Sequence, residues 1–128
     1  MKKEILLLRL SYWIAALADF AVAYWVLMPQ RMGLTEIVYP MGLAAAIAFS
    51  WGILLLVADR KPMDRRWILI PTILVIGLLT AVRVIFSHYG MIDFSLGFLI
   101  FGIGLIVLMI YSYYYANKVI QNRQGYED

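Results

Sequence analysis

Residues 10–28 read LSYWIAALADFAVAYWVLM, a continuous apolar run that contains one charged side chain, Asp19. The hydrocarbon core of a bilayer is about 30 Å thick, and a helix that rises about 1.5 Å per residue crosses it with about 20 apolar residues. A membrane-spanning strand would instead show about 10 residues of alternating polarity. The run therefore predicts a transmembrane helix with an acid near its centre.

Three more apolar runs of similar length follow, and charged or turn-forming residues separate them. They cover residues 37–58, 67–87 and 93–115. The links between the runs are too short to hold a soluble domain, and short links favour sequential helices that lie side by side. We predict an all-α membrane protein, a single domain over residues 1–128 that forms an antiparallel up-down bundle of four transmembrane helices.

The composition of the whole chain indicates lipid surroundings. Of the 128 residues, 64% are apolar and 15% are charged, whereas soluble domains have about 45–50% and about 25%. The chain has no cysteine and one histidine, too few for a thiolate or zinc site, and no serine has a histidine base at membrane depth. We expect no cofactor, no metal and no enzyme activity.

The eleven Lys and Arg residues lie mostly on one side of the predicted membrane. Nine of them lie in the N-terminal segment, in the link after the second run and in the C-terminal segment, whereas Arg31 and Arg83 lie toward the other side. Cytoplasmic segments carry the excess of Lys and Arg. We predict a multi-pass protein of the inner cell membrane with both termini in the cytoplasm. Basic residues this dispersed predict no nucleic-acid partner.

Membrane insertion explains Asp19 less well than any other residue. An acid at the centre of a transmembrane helix costs about 2.5–3.5 kcal/mol to insert. Its helical neighbours include Ala15, Ala16 and Ala23, a small-residue face that suits close helix packing. One interpretation is a proton- or cation-linked site, or a polar anchor in a ligand pocket. The other is a structural aspartate that is protonated or hydrogen-bonded to a nearby Tyr, Ser or Thr.

Arg83 is the second candidate inside the membrane. It belongs to a mostly polar stripe along the third helix, which predicts a face that contacts protein rather than lipid. The stripe consists of Thr72, Ile76, Thr80, Arg83 and Ser87. The arginine either pairs with the acid of the first helix or extends to the membrane surface. The candidate ligand or ion site consists of Asp19, Arg83, Tyr12 and Thr80.

Two further groups of candidates lie at the predicted membrane surfaces. Glu36, His88 and Asp93 are the candidates for the outer mouth of a pocket that offers charge to a cation. The alternative there is an aromatic belt, with acids at the positive starts of helices. On the cytoplasmic side, the candidates for binding anionic lipid headgroups are Arg60, Lys61, Arg65 and Arg66. Membrane topology alone also accounts for these four charges.

The second run carries small residues at helical spacing in two rows. One row is Gly42, Ala46 and Ser50, and the other is Ala44, Ala48 and Gly52. Small residues at this spacing let helix backbones approach closely. The rows predict either packing within the chain or a homodimer face.

Residues 58–62 read ADRKP, follow the apolar run WGILLLV at 51–57 and precede Arg65 and Arg66. With these residues the chain resembles an uncharacterised prokaryotic family of small four-helix integral membrane proteins. The similarity spans most of the first three helices and includes the Ala-Asp step at Ala18 and Asp19. The resemblance implies the four-helix architecture and a prokaryotic origin, and it implies no activity.

Two functions of different classes fit the sequence. The first is a bundle that binds or transports a small molecule or ion through the interior polar site, which predicts a cavity that reaches Asp19. The second is a non-catalytic accessory or assembly subunit of a larger membrane complex, which predicts an exposed row of Ala and Gly on the second helix. The expected partners are the lipid bilayer, a small ligand or lipid, and a second copy or a larger membrane complex.

Overall fold

The structure is a computed structural model that describes residues 2–32 and 34–125, and all regular structure in those ranges is helical. The four long helices are α1 (Lys3–Trp25), α2 (Tyr39–Asp59), α3 (Leu69–His88) and α4 (Leu96–Gln124). Short 3-10 turns at Pro29–Met32 and Arg66–Ile68 precede α2 and α3. Each long helix, α3 together with its turn, is long and apolar enough to cross a membrane. The chain is therefore a multi-pass membrane protein, as its hydropathy predicts.

The first helix lies closer to the N-terminus than predicted. It begins at Lys3 rather than at residue 10 and ends at Trp25 rather than at residue 28. Residues 3–9 contain neither Gly nor Pro, so nothing in them breaks a helix where the hydropathy falls. Pro29 follows shortly after the helix, as is common beyond a helix end. The bounds of α2 and α3 lie within two residues of the predicted ones.

The fourth helix begins and ends later than the predicted 93–115. Its start is fixed by Ser95, whose hydroxyl oxygen accepts a hydrogen bond from the Phe98 N–H at 3.3 Å and caps the helix that begins at Leu96. The helix continues to Gln124 because residues 116–124, although polar, contain no Gly or Pro. Hydropathy marks the part of a helix that lipid can cover, and the backbone stays helical beyond it.

The helix α1 is central to the packing. It packs against both α2 and α4, and α3 packs mainly against α4. The core follows the buried face of α1 and includes Leu8, Tyr12, Ala15, Ala16, Leu55 from α2 and Met109 from α4. The outer surface is apolar, with side chains such as Ile47, Leu74 and Val107 at least 60% exposed. A surface of this kind is suited to lipid rather than to water.

Two glycines allow close approach between helices. A Cβ atom at Gly52 of α2 would lie 2.7 Å from a ring carbon of Phe20 on α1. A Cβ atom at Gly102 of α4 would lie 2.7 Å from Oγ1 of Thr80 on α3. Neither position has room for a side chain, so the two glycines set how closely α1 approaches α2 and α3 approaches α4.

The first three residues of the polar stripe on α3 face protein, as predicted, whereas Arg83 and Ser87 are only partly buried. Thr72, Ile76 and Thr80 are buried. The Trp51 indole N–H of α2 donates a hydrogen bond to Thr72 Oγ1 at 3.0 Å. The stripe therefore provides the polar contact between α3 and α2, in addition to the packing of α3 on α4.

Candidate functional site

Asp19 lies on the buried face of α1 and is 4% exposed. Its Oδ2 atom is buried and has no hydrogen-bond partner within the described residues. The nearest buried positions on the same face, Ala16 and Ala23, have no side-chain polar atom to offer. Leaving a buried polar group unpaired costs roughly 1–3 kcal/mol, and more when the group is charged. The fold therefore retains Asp19 at a cost that packing does not explain.

The distribution of unpaired polar atoms singles out Asp19 and Arg83. Within the described residues, four buried side-chain atoms lack a hydrogen bond: Arg9 Nε, Asp59 Oδ1, Asp19 Oδ2 and Arg83 Nε. The first two face each other at 3.4 Å as an ion pair. Neither of the two ion pairs in the described part of the chain includes Asp19 or Arg83. The pairing of Asp19 with Arg83 considered from the sequence is thus not formed in this structure.

Arg83 lines a small pocket between α3 and α4, here called the Arg83 pocket. Its lining includes Thr80, Arg83, Ser87, Phe94, Ser95 and Phe98. The pocket volume is about 10 Å³, the space that a single water molecule needs. The Arg83 guanidinium carbon lies 4.3 Å from the centre of the Phe98 ring, within the range of a cation–π contact. The aromatic ring therefore holds the guanidinium in place without neutralising its charge.

The structure brings Thr80 to Arg83 and separates Tyr12 from both. Thr80 lines the Arg83 pocket, and its hydroxyl donates to the Ile76 carbonyl at 2.8 Å. Tyr12 is fully buried, and its hydroxyl donates to the Pro62 carbonyl at 2.9 Å. Because that hydroxyl is already used at the link between α2 and α3, Tyr12 has a structural role there. The interior candidates thus lie in three places: Asp19 by itself, Thr80 with Arg83, and Tyr12 at the link between α2 and α3.

A larger apolar pocket lies between α1 and α2, here called the α1–α2 groove. It has a volume of about 440 Å³ and is lined by Phe20, Ala23, Tyr24, Leu27, Ala45 and Phe49. Hydropathy does not reveal a groove of this kind, because it does not report the volume that each side chain fills.

Neither pocket is lined by Asp19. The groove includes its neighbours Phe20 and Ala23, but the carboxyl group itself is enclosed. The predicted cavity that reaches Asp19 is therefore not present among the described residues, and the enclosed carboxyl group counts against a permanently open ligand-binding site there. A proton or a small ion fits the observed packing, whereas a larger ligand reaches Asp19 only if the bundle opens.

The residues predicted to form an outer mouth remain apart from both pockets. Glu36, His88 and Asp93 are exposed, and none of them lines the Arg83 pocket or the groove. The centres of the His88 and Tyr89 rings lie 5.9 Å apart. Across the described ranges, no group of three His, Asp or Glu side chains is placed to hold a metal ion. The exposure of Tyr89 suits the aromatic-belt alternative.

The polar contacts around the link between α2 and α3, together with the facing ends of α1 and α4, form what we call the basic cluster. Arg123 donates to Glu4 at 3.0 Å, and the Trp13 indole N–H donates to Asp59 at 3.2 Å. The Ser11 and Ser112 hydroxyls share a hydrogen bond of 2.8 Å. The cluster consists of Glu4, Arg9, Ser11, Tyr12, Trp13, Asp59, Pro62, Arg66, Asn117, Ser112 and Arg123. These pairs could not be predicted from sequence patterns, since each joins distant parts of the chain.

The four residues proposed to bind anionic lipid divide into two pairs. Arg66 donates to the Asn117 side chain at 2.6 Å and to the Met63 carbonyl at 2.7 Å. Arg65 donates to the Val57 carbonyl. Arg60 and Lys61 are exposed and take part in no ion pair within the described residues. Arg65 and Arg66 thus hold the α2–α3 link in place. Arg60 and Lys61 are exposed, so their charges are accessible to lipid headgroups.

Comparisons with protein-family models, with curated proteins and with solved structures find no match to this chain. The resemblance to a prokaryotic four-helix family therefore stays a prediction. The class of the protein rests on its own features, four helices long and apolar enough to span a membrane.

Proposed function

We propose that this multi-pass protein binds or moves a small solute or ion through an interior acidic site centred on Asp19. The observation that carries the proposal is a carboxyl group that is 4% exposed and whose Oδ2 atom has no partner among the described residues. Ionisable residues inside a membrane are expensive and are typical of ion pathways and proton relays. Residues that reduce stability are commonly retained for activity.

The size of the space around Asp19 narrows the class of occupant. The carboxyl group is enclosed, and neither the Arg83 pocket nor the α1–α2 groove reaches it. A proton needs no preformed cavity, whereas a monovalent cation needs several oxygen ligands around it. We therefore expect ion handling rather than the binding of a large organic molecule.

The proposal includes a membrane orientation. The four helices cross the membrane in alternating directions, with both termini and the α2–α3 link on the cytoplasmic side of the inner membrane. Two contacts support this arrangement, since Glu4 pairs with Arg123 and Arg66 donates to Asn117. The excess of Lys and Arg in the same segments supports a cytoplasmic location.

The test is ion flux in vesicles that contain the purified protein. Proton entry is followed with an enclosed pH-sensitive dye under a potassium diffusion potential, and sodium and rubidium entry with radioactive tracers. We expect one of these fluxes to exceed that of empty vesicles and to be lost in Asp19→Asn. The matched control is Asp59→Asn, which removes an acid of the same size at the end of α2 and should leave the flux unchanged.

A stability measurement separates function from structure at Asp19. Because Asn keeps the size of Asp and cannot carry a charge, Asp19→Asn should leave the melting temperature in detergent unchanged or raise it. Asp59→Asn should lower it by the equivalent of about 1 kcal/mol, since it breaks a partly exposed ion pair. Flux that persists in Asp19→Asn, or a lower melting temperature for that variant alone, contradicts the proposal.

A second candidate is an accessory or assembly subunit of a larger membrane complex, and one observation favours it. The small residues Gly42, Ala44 and Ala46 of α2 are exposed, as this function predicts, while Gly52 is taken up in packing against Phe20. Native purification followed by mass spectrometry tests it. A partner that co-purifies with the wild-type chain should be lost in Ala46→Leu and kept in the control Ile47→Leu.

A further inference from the structure

The Arg83 pocket gathers hydrogen-bond donors in a way that the proposed function does not use. Arg83, Ser87 and Ser95, whose side chains carry hydrogen-bond donors, are among its lining residues. No Asp or Glu residue is among its lining residues. The pocket is therefore positive in charge and rich in donors, which is the chemistry of an anion site.

Arg83 is held in place and has donors to spare. Its guanidinium carbon lies 4.3 Å from the centre of the Phe98 ring, and a contact with an aromatic ring does not use the N–H groups of a guanidinium as hydrogen-bond donors to an acceptor atom. Nε is buried and has no acceptor within the described residues. A guanidinium edge with unsatisfied N–H groups matches the two oxygens of a phosphate or carboxylate.

The neighbouring groups add to the same preference. Ser95 Oγ accepts from the Phe98 N–H at 3.3 Å, so its own proton is available to a ligand. The helix that begins at Leu96 is the longest in the chain, and helix starts carry a partial positive charge that favours anions. These two features act on the same pocket as the guanidinium.

We propose that the Arg83 pocket binds the oxyanion of a phosphate group, carried by a phospholipid headgroup or present as free phosphate. The pocket volume of about 10 Å³ admits one phosphate oxygen, so the rest of the group lies at the mouth between α3 and α4. Phe94, one of the lining residues, is 59% exposed and apolar, which suits lipid chains beside the headgroup. The site does not involve Asp19 and does not depend on the proposed ion handling.

The experiment measures the melting temperature of the full chain in detergent as each of three probes is added. The probes are inorganic phosphate, short-chain phosphatidylglycerol, and short-chain diacylglycerol as the phosphate-free control. We expect phosphatidylglycerol to raise the melting temperature of the wild type and of Arg31→Gln, a matched loss of one exposed arginine. The shift should require about tenfold or more probe in Arg83→Gln, and Arg83→Lys should lie between them.

The outcomes of the phosphate and lipid arms distinguish the two sources. A shift with phosphatidylglycerol alone supports a lipid headgroup, and equal shifts with inorganic phosphate support the free anion. Equal shifts with diacylglycerol, no shift of the wild type with either phosphate probe, or an unchanged response in Arg83→Gln overturns the proposal. Native mass spectrometry supplies a second readout that does not depend on the stability of the variant, the number of phosphatidylglycerol molecules retained per chain. Asp19→Asn should respond as the wild type does.

Discussion

Glu4 and Asp59 in the basic cluster each accept a hydrogen bond across a contact between two helices, whereas Asp19, on the same face of α1 as Glu4, has an unpartnered buried oxygen among the described residues. The contrast does not follow exposure, because Asp19 is as well buried as Glu4. Acids that hold helices together are placed opposite a donor. An acid whose buried oxygen has no donor opposite it is suited to reversible binding of a proton or a ligand.

The same contrast separates the arginines. Arg66 and Arg123 donate to side chains of other helices, so their charges are used within the fold. Arg83 contacts an aromatic ring and keeps an unsatisfied N–H. Most polar groups of the basic cluster have a partner within the fold, and its two buried atoms without a hydrogen bond, Arg9 Nε and Asp59 Oδ1, form an ion pair with each other. Asp19 and Arg83 take part in no ion pair within the described residues.

The largest effect expected is at the basic cluster. Tyr12→Ala removes a fully buried side chain and should lower the free energy of unfolding by about 3–5 kcal/mol. Tyr12→Phe keeps the ring and leaves the Pro62 carbonyl without its donor, which should cost about 1–2 kcal/mol. Chemical unfolding in mixed detergent measures both. A cost for Tyr12→Phe equal to that for Tyr12→Ala would show that the ring contributes little to the packing.

The next effect concerns the contact between α3 and α4 beside the Arg83 pocket. Gly102→Ala places a methyl group 2.7 Å from Thr80 Oγ1 and should cost about 1–3 kcal/mol, because overpacking forces the neighbour to move. Its control is Gly104→Ala, where no atom lies within 4 Å of the new Cβ, and this change should gain up to about 1 kcal/mol of helix propensity. Thermal unfolding of the two variants should therefore move in opposite directions.

The smallest effect is the most informative about the two kinds of charge. A double-mutant cycle with Glu4→Gln and Arg123→Gln should give a coupling energy of about 0.5–1 kcal/mol, since Arg123 is half-exposed and its pair is screened. The same cycle with Asp19→Asn and Arg83→Gln should give additive effects, because the two groups do not pair. A clear coupling between Asp19 and Arg83 would mean that they meet in another conformation of the bundle.

The number and places of the helices follow from hydropathy, because lipid must cover about 20 apolar residues per crossing. The inward stripe of Thr72, Ile76 and Thr80 could be predicted for the same reason, since polar side chains at helical spacing avoid lipid. The ends of α1 and α4 could not be predicted, although those of α2 and α3 lie within two residues of the predicted ones. Whether polar residues at 116–124 continue a helix depends on backbone propensity and on contacts such as Arg123 with Glu4, which hydropathy does not include.

The candidate site was only partly accessible from the sequence. Asp19 is conspicuous because it interrupts an apolar run, and its burial agrees with that interpretation. The partner of Tyr12 is a backbone carbonyl, which no pattern of side chains indicates. The Arg83 pocket could not be predicted from the sequence either, because Ser87 and Ser95 come together only when the link between α3 and α4 reverses the chain.

The contacts of Ser11 with Ser112 and of Glu4 with Arg123 join residues more than a hundred positions apart. A ribosome releases α1 long before α4. During synthesis α1 therefore enters the membrane before Ser11 and Glu4 can contact Ser112 and Arg123. The contacts of α1 with Asp59 and Pro62 become available earlier. Assembly should therefore begin with a hairpin of α1 and α2 and finish when α4 packs against α1. The ion pair between Glu4 and Arg123 forms only in that last step.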